Sequence, residues 1–120
     1  MEARPREFFI TPEDGAKLMA ALAFSNTGLT VDIAHLNTFT DPLKAIGQID
    51  PKSIFHFHLS DNRPDRTHLP LGQGHIDIPG VLKAIAPWYE GLVSLEGAGL
   101  VSPPVAAREN YEYLKDWGFI

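Results

Sequence analysis

Three short β-rich runs, Leu29 to Ala34, Ser53 to Leu59 and Leu92 to Glu96, are each separated from the next by a segment long enough for a helix. That spacing is the strongest constraint on the fold. Antiparallel neighbours can be joined by a tight turn, whereas parallel ones need a crossover, usually a helix. The rhythm therefore predicts parallel strands alternating with helices. The helical segments also announce their starts. Thr11-Pro12-Glu13-Asp14 sets a capping hydroxyl before a proline, with a carboxylate in the first turn, and predicts a helix to about Ala23. Asp41-Pro42 opens a second through Leu43, Ile46 and Ile49. Asp77-Ile78-Pro79 opens a third carrying Val81, Leu82, Ile85 and Trp88. Ser102-Pro103-Pro104 opens a fourth that closes near Trp117-Gly118. Trp88, Tyr111, Tyr113 and Trp117 fall at helical spacing and are expected to pack these helices against the sheet.

The strands alternate, and the phase carries information. Ile54, His56 and His58 are expected on one face of the second run, with Phe55, Phe57 and Leu59 on the other. Val31 and Ile33 oppose Thr30, Asp32 and Ala34 in the first. Val93 and Leu95 oppose Leu92, Ser94 and Glu96 in the third. Each strand thus has an apolar face for helix packing and a mixed face whose ionisable residue lies near the C-terminal end. Three strands sharing that asymmetry suggest βα units around a barrel axis, with the chemistry at the C-terminal mouth.

Asp32, His58 and Glu96 occupy equivalent mouth positions. Two carboxylates and an imidazole suit a divalent cation, and mostly-oxygen donors favour Mn- or Co-like ions over a structural zinc. Taken singly, each residue has a plainer reading. Asp32 would serve as a loop cap, His58 as a hydrogen-bonded core histidine and Glu96 as a solvated strand end. Composition narrows the field further. The chain has no cysteine, which excludes disulfides and thiolate zinc sites. A net charge of −5 disfavours nucleic acid as a partner. No apolar run approaches the roughly 20 residues of a membrane span, and no signal-peptide pattern opens the chain. The expected location is cytoplasmic, with no membrane partner.

Val31 to Phe39 (VDIAHLNTF), Phe55 to Asp77 (FHFHLSDNRPDRTHLPLGQGHID) and Val93 to Ala98 (VSLEGA) together resemble the sugar phosphate isomerase/epimerase family. These are the xylose isomerase-like TIM barrels, related to endonuclease IV. The resemblance implies an α/β fold, a single partial (βα)8 TIM-barrel domain over residues 1–120, roughly the C-terminal half. It also implies one divalent metal (Mn, Co, Mg or Zn) held by Glu2, Asp32, His58 and Glu96. Glu2 and Glu96 would be the catalytic acid/base pair. His35 would contact a substrate hydroxyl, and Arg63, one residue off the usual arginine offset, a further substrate oxygen. His68 would sit near the substrate or a second metal, on a loop whose Pro70, Gly72 and Gly74 read equally as a tight turn.

The implied reaction is isomerisation or epimerisation of a sugar or sugar phosphate. A cation polarises the carbonyl, which acidifies the neighbouring C–H and stabilises an enediolate, and carboxylates remove and return the proton. Two other readings compete. An endonuclease IV-like phosphodiesterase on abasic DNA would need three metals and an Asp two residues before His68, where this chain has Arg66, with Asp65 displaced by one. A non-catalytic half-barrel remnant would keep the ligand pattern without a finished pocket. A complete barrel takes about 250 residues and eight strands, so either the sequence is a truncated or split product, or self-association or a complementing half-barrel is expected to supply the facing wall.

Overall fold

The computed structural model describes residues 11–97 and 102–120. The expected alternation of helices and parallel strands is present. Helix α1 (Pro12–Leu22) starts in a full capping box. The Thr11 hydroxyl accepts from the Asp14 amide at 3.2 Å, and the Asp14 carboxylate accepts from the Thr11 amide at 3.1 Å. Asp41 caps α3 (Pro42–Ile46) through the Lys44 amide, and Asp77 caps α4 (Ile78–Ile85) through the Gly80 amide. Ser102 precedes α5 (Pro103–Asp116) but makes no side-chain cap bond, so the two following prolines set that start.

Strands β1 (Leu29–Asp32), β2 (Ile54–Leu59) and β5 (Val93–Leu95) form a parallel sheet in the order β1-β2-β5. Between β2 and α4 the chain makes an antiparallel hairpin, β3 (Asp61–Arg63) and β4 (Arg66–Leu69), which the strand spacing did not anticipate. The first strand is also shorter than expected. It ends at Asp32, because residues Ile33–Leu36 turn into a short helix, α2, capped by the Asp32 carboxylate. Ile49 and Trp88 likewise fall beyond the ends of α3 and α4.

Register explains which side chains face the helices. Val31, Phe57 and Val93 are lateral partners, as are Asp32, His58 and Ser94 on the other face. The pairing slips by one residue between Leu29–Ile54 and Thr30–His56, which leaves Phe55 as the extra residue. Ile54 therefore joins Leu29 in the core instead of sharing a face with His56 and His58, and Phe55 is pushed out to 52% exposure. Its ring lies on Gly28, where a β-carbon would overlap it.

The core runs from Leu29, Val31 and Ile33 through Phe57 and Leu59 to Ile78, Val81 and Ile85. Aromatic packing is narrower than the helical spacing suggested. Trp88 and Tyr89 stack around Phe57 and Tyr113 packs against the core, whereas Tyr111 and Trp117 are more than half exposed. Among the described residues no helix is long and apolar enough to cross a membrane.

Candidate metal centre

Each strand of the sheet delivers a donor to its C-terminal end. Asp32 ends β1, His58 lies one residue from the end of β2, and Glu96 follows β5 directly, where its amide donates to the Leu59 carbonyl at 3.0 Å. His58 Nδ1 is 2.9 Å from Glu96 Oε2 and 3.9 Å from Asp32 Oδ2. The ligand atoms of Asp32, His58 and Glu96 all lie within 4.8 Å of one another, and those of Asp32, His35 and His68 form a second group meeting the same limit. Asp32 is common to both.

The two oxygens of Asp32 divide the work. Oδ1 accepts from the His35 amide at 2.9 Å, which starts α2. Oδ2 faces the cluster, 3.5 Å from His35 Nδ1. The loop-cap reading and the ligand reading of Asp32 are thus both compatible with one side chain. Asp32 Oδ2 and Glu96 Oε2 are buried atoms, and the two carboxyls are hydrogen-bonded to each other, with His58 Nδ1 beside Glu96 Oε2. Two buried carboxyls in contact are unfavourable as a pair of anions, and a cation or a shared proton relieves them.

Electrostatics separate the two acids. Burial pushes the Asp32 carboxyl above its ordinary value of 3.8, outweighing the His35 amide that favours the anion. Burial also acts on Glu96, but the hydrogen bond with Asp32 and the imidazoles of His68 and His58 together hold it below its ordinary 4.5. One proton is therefore favoured on Asp32 and a negative charge on Glu96, the arrangement expected when two carboxyls share a confined site.

His68 reaches this cluster from the hairpin. Its backbone is left-handed at φ +58, and the ring points inward, with Nε2 3.1 Å from His35 Nε2 and Nδ1 3.1 Å from Ser60 Oγ. Arg63 sits at the exposed side of the hairpin, where its Nε donates to the Gln73 carbonyl at 2.7 Å, and it does not join the cluster. Glu2 lies outside the described residues, so the structure brings together Asp32, His35, His58, His68 and Glu96.

The reading of motifs gave Asp61 no role, yet it organises the loop beneath His68. Its carboxylate is 1% exposed and accepts from four backbone amides. Asn62 and Ile76 donate to Oδ1 at 2.9 and 3.1 Å, and Gly72 and Gly74 donate to Oδ2 at 3.0 and 2.8 Å. The glycines are required by this wrap. Gly72 has φ +80 and lies under the Tyr113 ring, and a β-carbon on Gly74 would strike the Asp61 carboxylate. The signal was present as amides spaced two apart (72, 74, 76) following an Asp. Asn62 ties the hairpin to α2, donating to the Ala34 carbonyl at 2.7 Å and accepting from Asn37 at 2.6 Å.

Comparison with known proteins identifies the fold and the family. The chain is 30% identical over 110 residues to an uncharacterised protein of Methanocaldococcus jannaschii, a match covering 88% of this chain and 38% of that protein. Among solved structures, a D-tagatose 3-epimerase-like protein is 30% identical, with a TM-score of 0.73 over 97% of this chain and 45% of its own. The fold is also that of the 3-keto-D-glucoside 4-epimerase of E. coli, 21% identical, with a TM-score of 0.78 over 96% of this chain and 44% of that one. It is shared by the IolI protein solved with a zinc atom, 23% identical, with a TM-score of 0.74 over 97% and 47%. This chain spans less than half the length of each of these relatives, and its β1-β2-β5 sheet with intervening helices corresponds to part of a TIM barrel. With a family model matching residues 1–117, the chain belongs to the xylose isomerase-like TIM barrel family.

Proposed function

We propose that this chain supplies the cation-binding wall of a divalent-metal-dependent enzyme that isomerises or epimerises a sugar or sugar phosphate by carboxylate-mediated proton transfer. One observation carries the proposal. Donor atoms of Asp32, His58 and Glu96, at the ends of three adjacent parallel strands, converge within 4.8 Å, and two of them are buried carboxylate oxygens that repel each other as anions. Asp32, His58 and Glu96 would hold the ion, with Glu2 as fourth ligand. The ion, of the Mn, Co, Mg or Zn kind, would supply polarisation of a substrate carbonyl.

The remaining chemistry belongs to the side chains. Glu96, the carboxyl with the lowered pKa, is ionised and suited to take the proton from the carbon beside the carbonyl, with Glu2 returning one on the opposite face. His35 and His68, held together through their Nε2 atoms, would bind substrate hydroxyls. Arg63, anchored on the Gln73 carbonyl through Nε, would turn the rest of its guanidinium toward a substrate oxygen. The likeness to a D-tagatose 3-epimerase-like protein supports a small sugar as substrate. The facing wall of the pocket would come from a further segment of the same protein, from self-association or from a complementing half-barrel.

The test is a thermal melt of the chelator-treated protein with and without Mn²⁺ or Co²⁺, paired with its solution mass. A ligand that binds only the folded state raises the melting temperature by mass action. Wild type should show that shift and the His58→Ala variant should lose it. The loaded protein should also exchange a substrate C–H with solvent deuterium across a panel of ketoses. No metal-linked shift in wild type, or an undiminished shift in His58→Ala, refutes the ligand set.

A further inference from the structure

The residues two positions before the candidate ligands are polar. Two residues earlier on the same strands lie Thr30 under Asp32, His56 under His58 and Ser94 under Glu96. Barrel interiors are ordinarily filled at such positions by bulky aliphatic residues. Here His56 Nε2 and Ser94 Oγ lie 2.8 Å apart, a hydrogen bond that crosses from β2 to β5. Ser94 is the lateral partner of His58, so this bond runs diagonally between the strands to the histidine two residues before it. The held ring in turn stands edge-on to His58, with centroids 5.2 Å apart and planes at 88°.

We propose that His56 and Ser94 are a positioning pair that orients the His58 imidazole toward Asp32 and Glu96. The terminal torsion of a histidine ring is broad, so its direction must come from what packs against it. The clamp also spans the two strands that carry His58 and Glu96, and so holds His58 Nδ1 at its 2.9 Å approach to Glu96 Oε2. The inference rests on the reading of those residues as cation ligands and extends it to two residues that reading leaves unused.

Co²⁺ titration of the chelator-treated chain tests it, read by both affinity and the visible spectrum of the bound ion. Removing a partner hydrogen-bonded to a metal-binding histidine typically costs about 10–100-fold in affinity, and a partner acting through a ring edge is expected at the lower end of that range. Ser94→Ala should lose at least about tenfold and alter the visible band, and Ser94→Thr, which keeps the hydroxyl, should restore both. His56→Phe keeps an aromatic edge against His58 but loses the bond, and should fall between wild type and Ser94→Ala. Should Ser94→Ala fail to fold by near-ultraviolet circular dichroism, the other two variants carry the test. Wild-type affinity and spectrum in Ser94→Ala and His56→Phe, or a Ser94→Ala loss that Ser94→Thr does not restore, overturn the pair alone. A wild-type chain that binds no Co²⁺ overturns the functional reading and the pair with it.

Discussion

Replacing Asp61 with Asn should destabilise the protein far more than its isosteric shape suggests. The carboxylate is 1% exposed and satisfies four amides, two on each oxygen. An amide side chain has one acceptor oxygen, so whichever way it turns, two backbone N–H groups lose their acceptor and meet an N–H₂ group instead. Hydrogen bonds to a charged acceptor contribute about 1.5–3 kcal/mol each. At the lower end the two losses amount to about 3 kcal/mol. With about 2.1 cal/mol/K of unfolding entropy per residue over 120 residues, that lowers the melting temperature by about 12 °C. The measurement is thermal and urea unfolding of wild type and Asp61→Asn in chelator, with amide hydrogen exchange to locate the loss. One amide pair, Gly72 with Gly74 or Asn62 with Ile76, should lose protection while the other keeps it. A shift below about 3 °C, or unchanged protection at all four amides, would refute the claim that this carboxylate holds the loop together.

The remaining predictions are narrower. Phe57→Ala empties a side chain that is 0% exposed at the centre of the core and should cost about 3–5 kcal/mol by urea unfolding; less than about 1 kcal/mol would contradict the packing. Gly72→Ala forces a left-handed residue against the Tyr113 ring and should cost at least about 1 kcal/mol, whereas an unchanged urea midpoint would mean that the loop adopts another backbone path. Burial holds the Tyr89 hydroxyl above its ordinary value of 10.0. Its folded pKa then exceeds the unfolded one, so its contribution to stability is whole below about pH 10 and is lost as pH rises through the folded value. The urea midpoint should fall in that alkaline range, and Tyr89→Phe should fall less steeply; equal declines would remove Tyr89 from the account.

Local chemistry made much of this molecule legible. Helix starts are written in neighbouring residues, so Thr11, Asp41 and Asp77 could be read as caps and each proved to be one. Strand faces follow a period of two, so Asp32, His58 and Glu96 could be placed at one end of a common sheet before any coordinates. The failures share a cause. The β1–β2 register slip that moved Ile54 into the core, the β3–β4 hairpin and the truncation of β1 at Asp32 each depend on partners far along the chain, or on a side chain bonding forward to its own backbone.

What the sequence determined by itself is therefore the alternation of helix and parallel strand, and the residue types waiting at the strand ends. Tertiary structure decided which of them meet. Asp32, His35 and His68 come together because β4 folds back with His68 in a left-handed conformation, and the Asp32 cap starts the short helix that carries His35. Asp61 became the anchor of a glycine loop only when four amides from as far as 15 residues away closed around it. Periodicity and capping act over a few residues, where covalent geometry limits the choices. Contacts across 15 to 39 residues are selected by the packing of the whole core, and no window along the chain contains them.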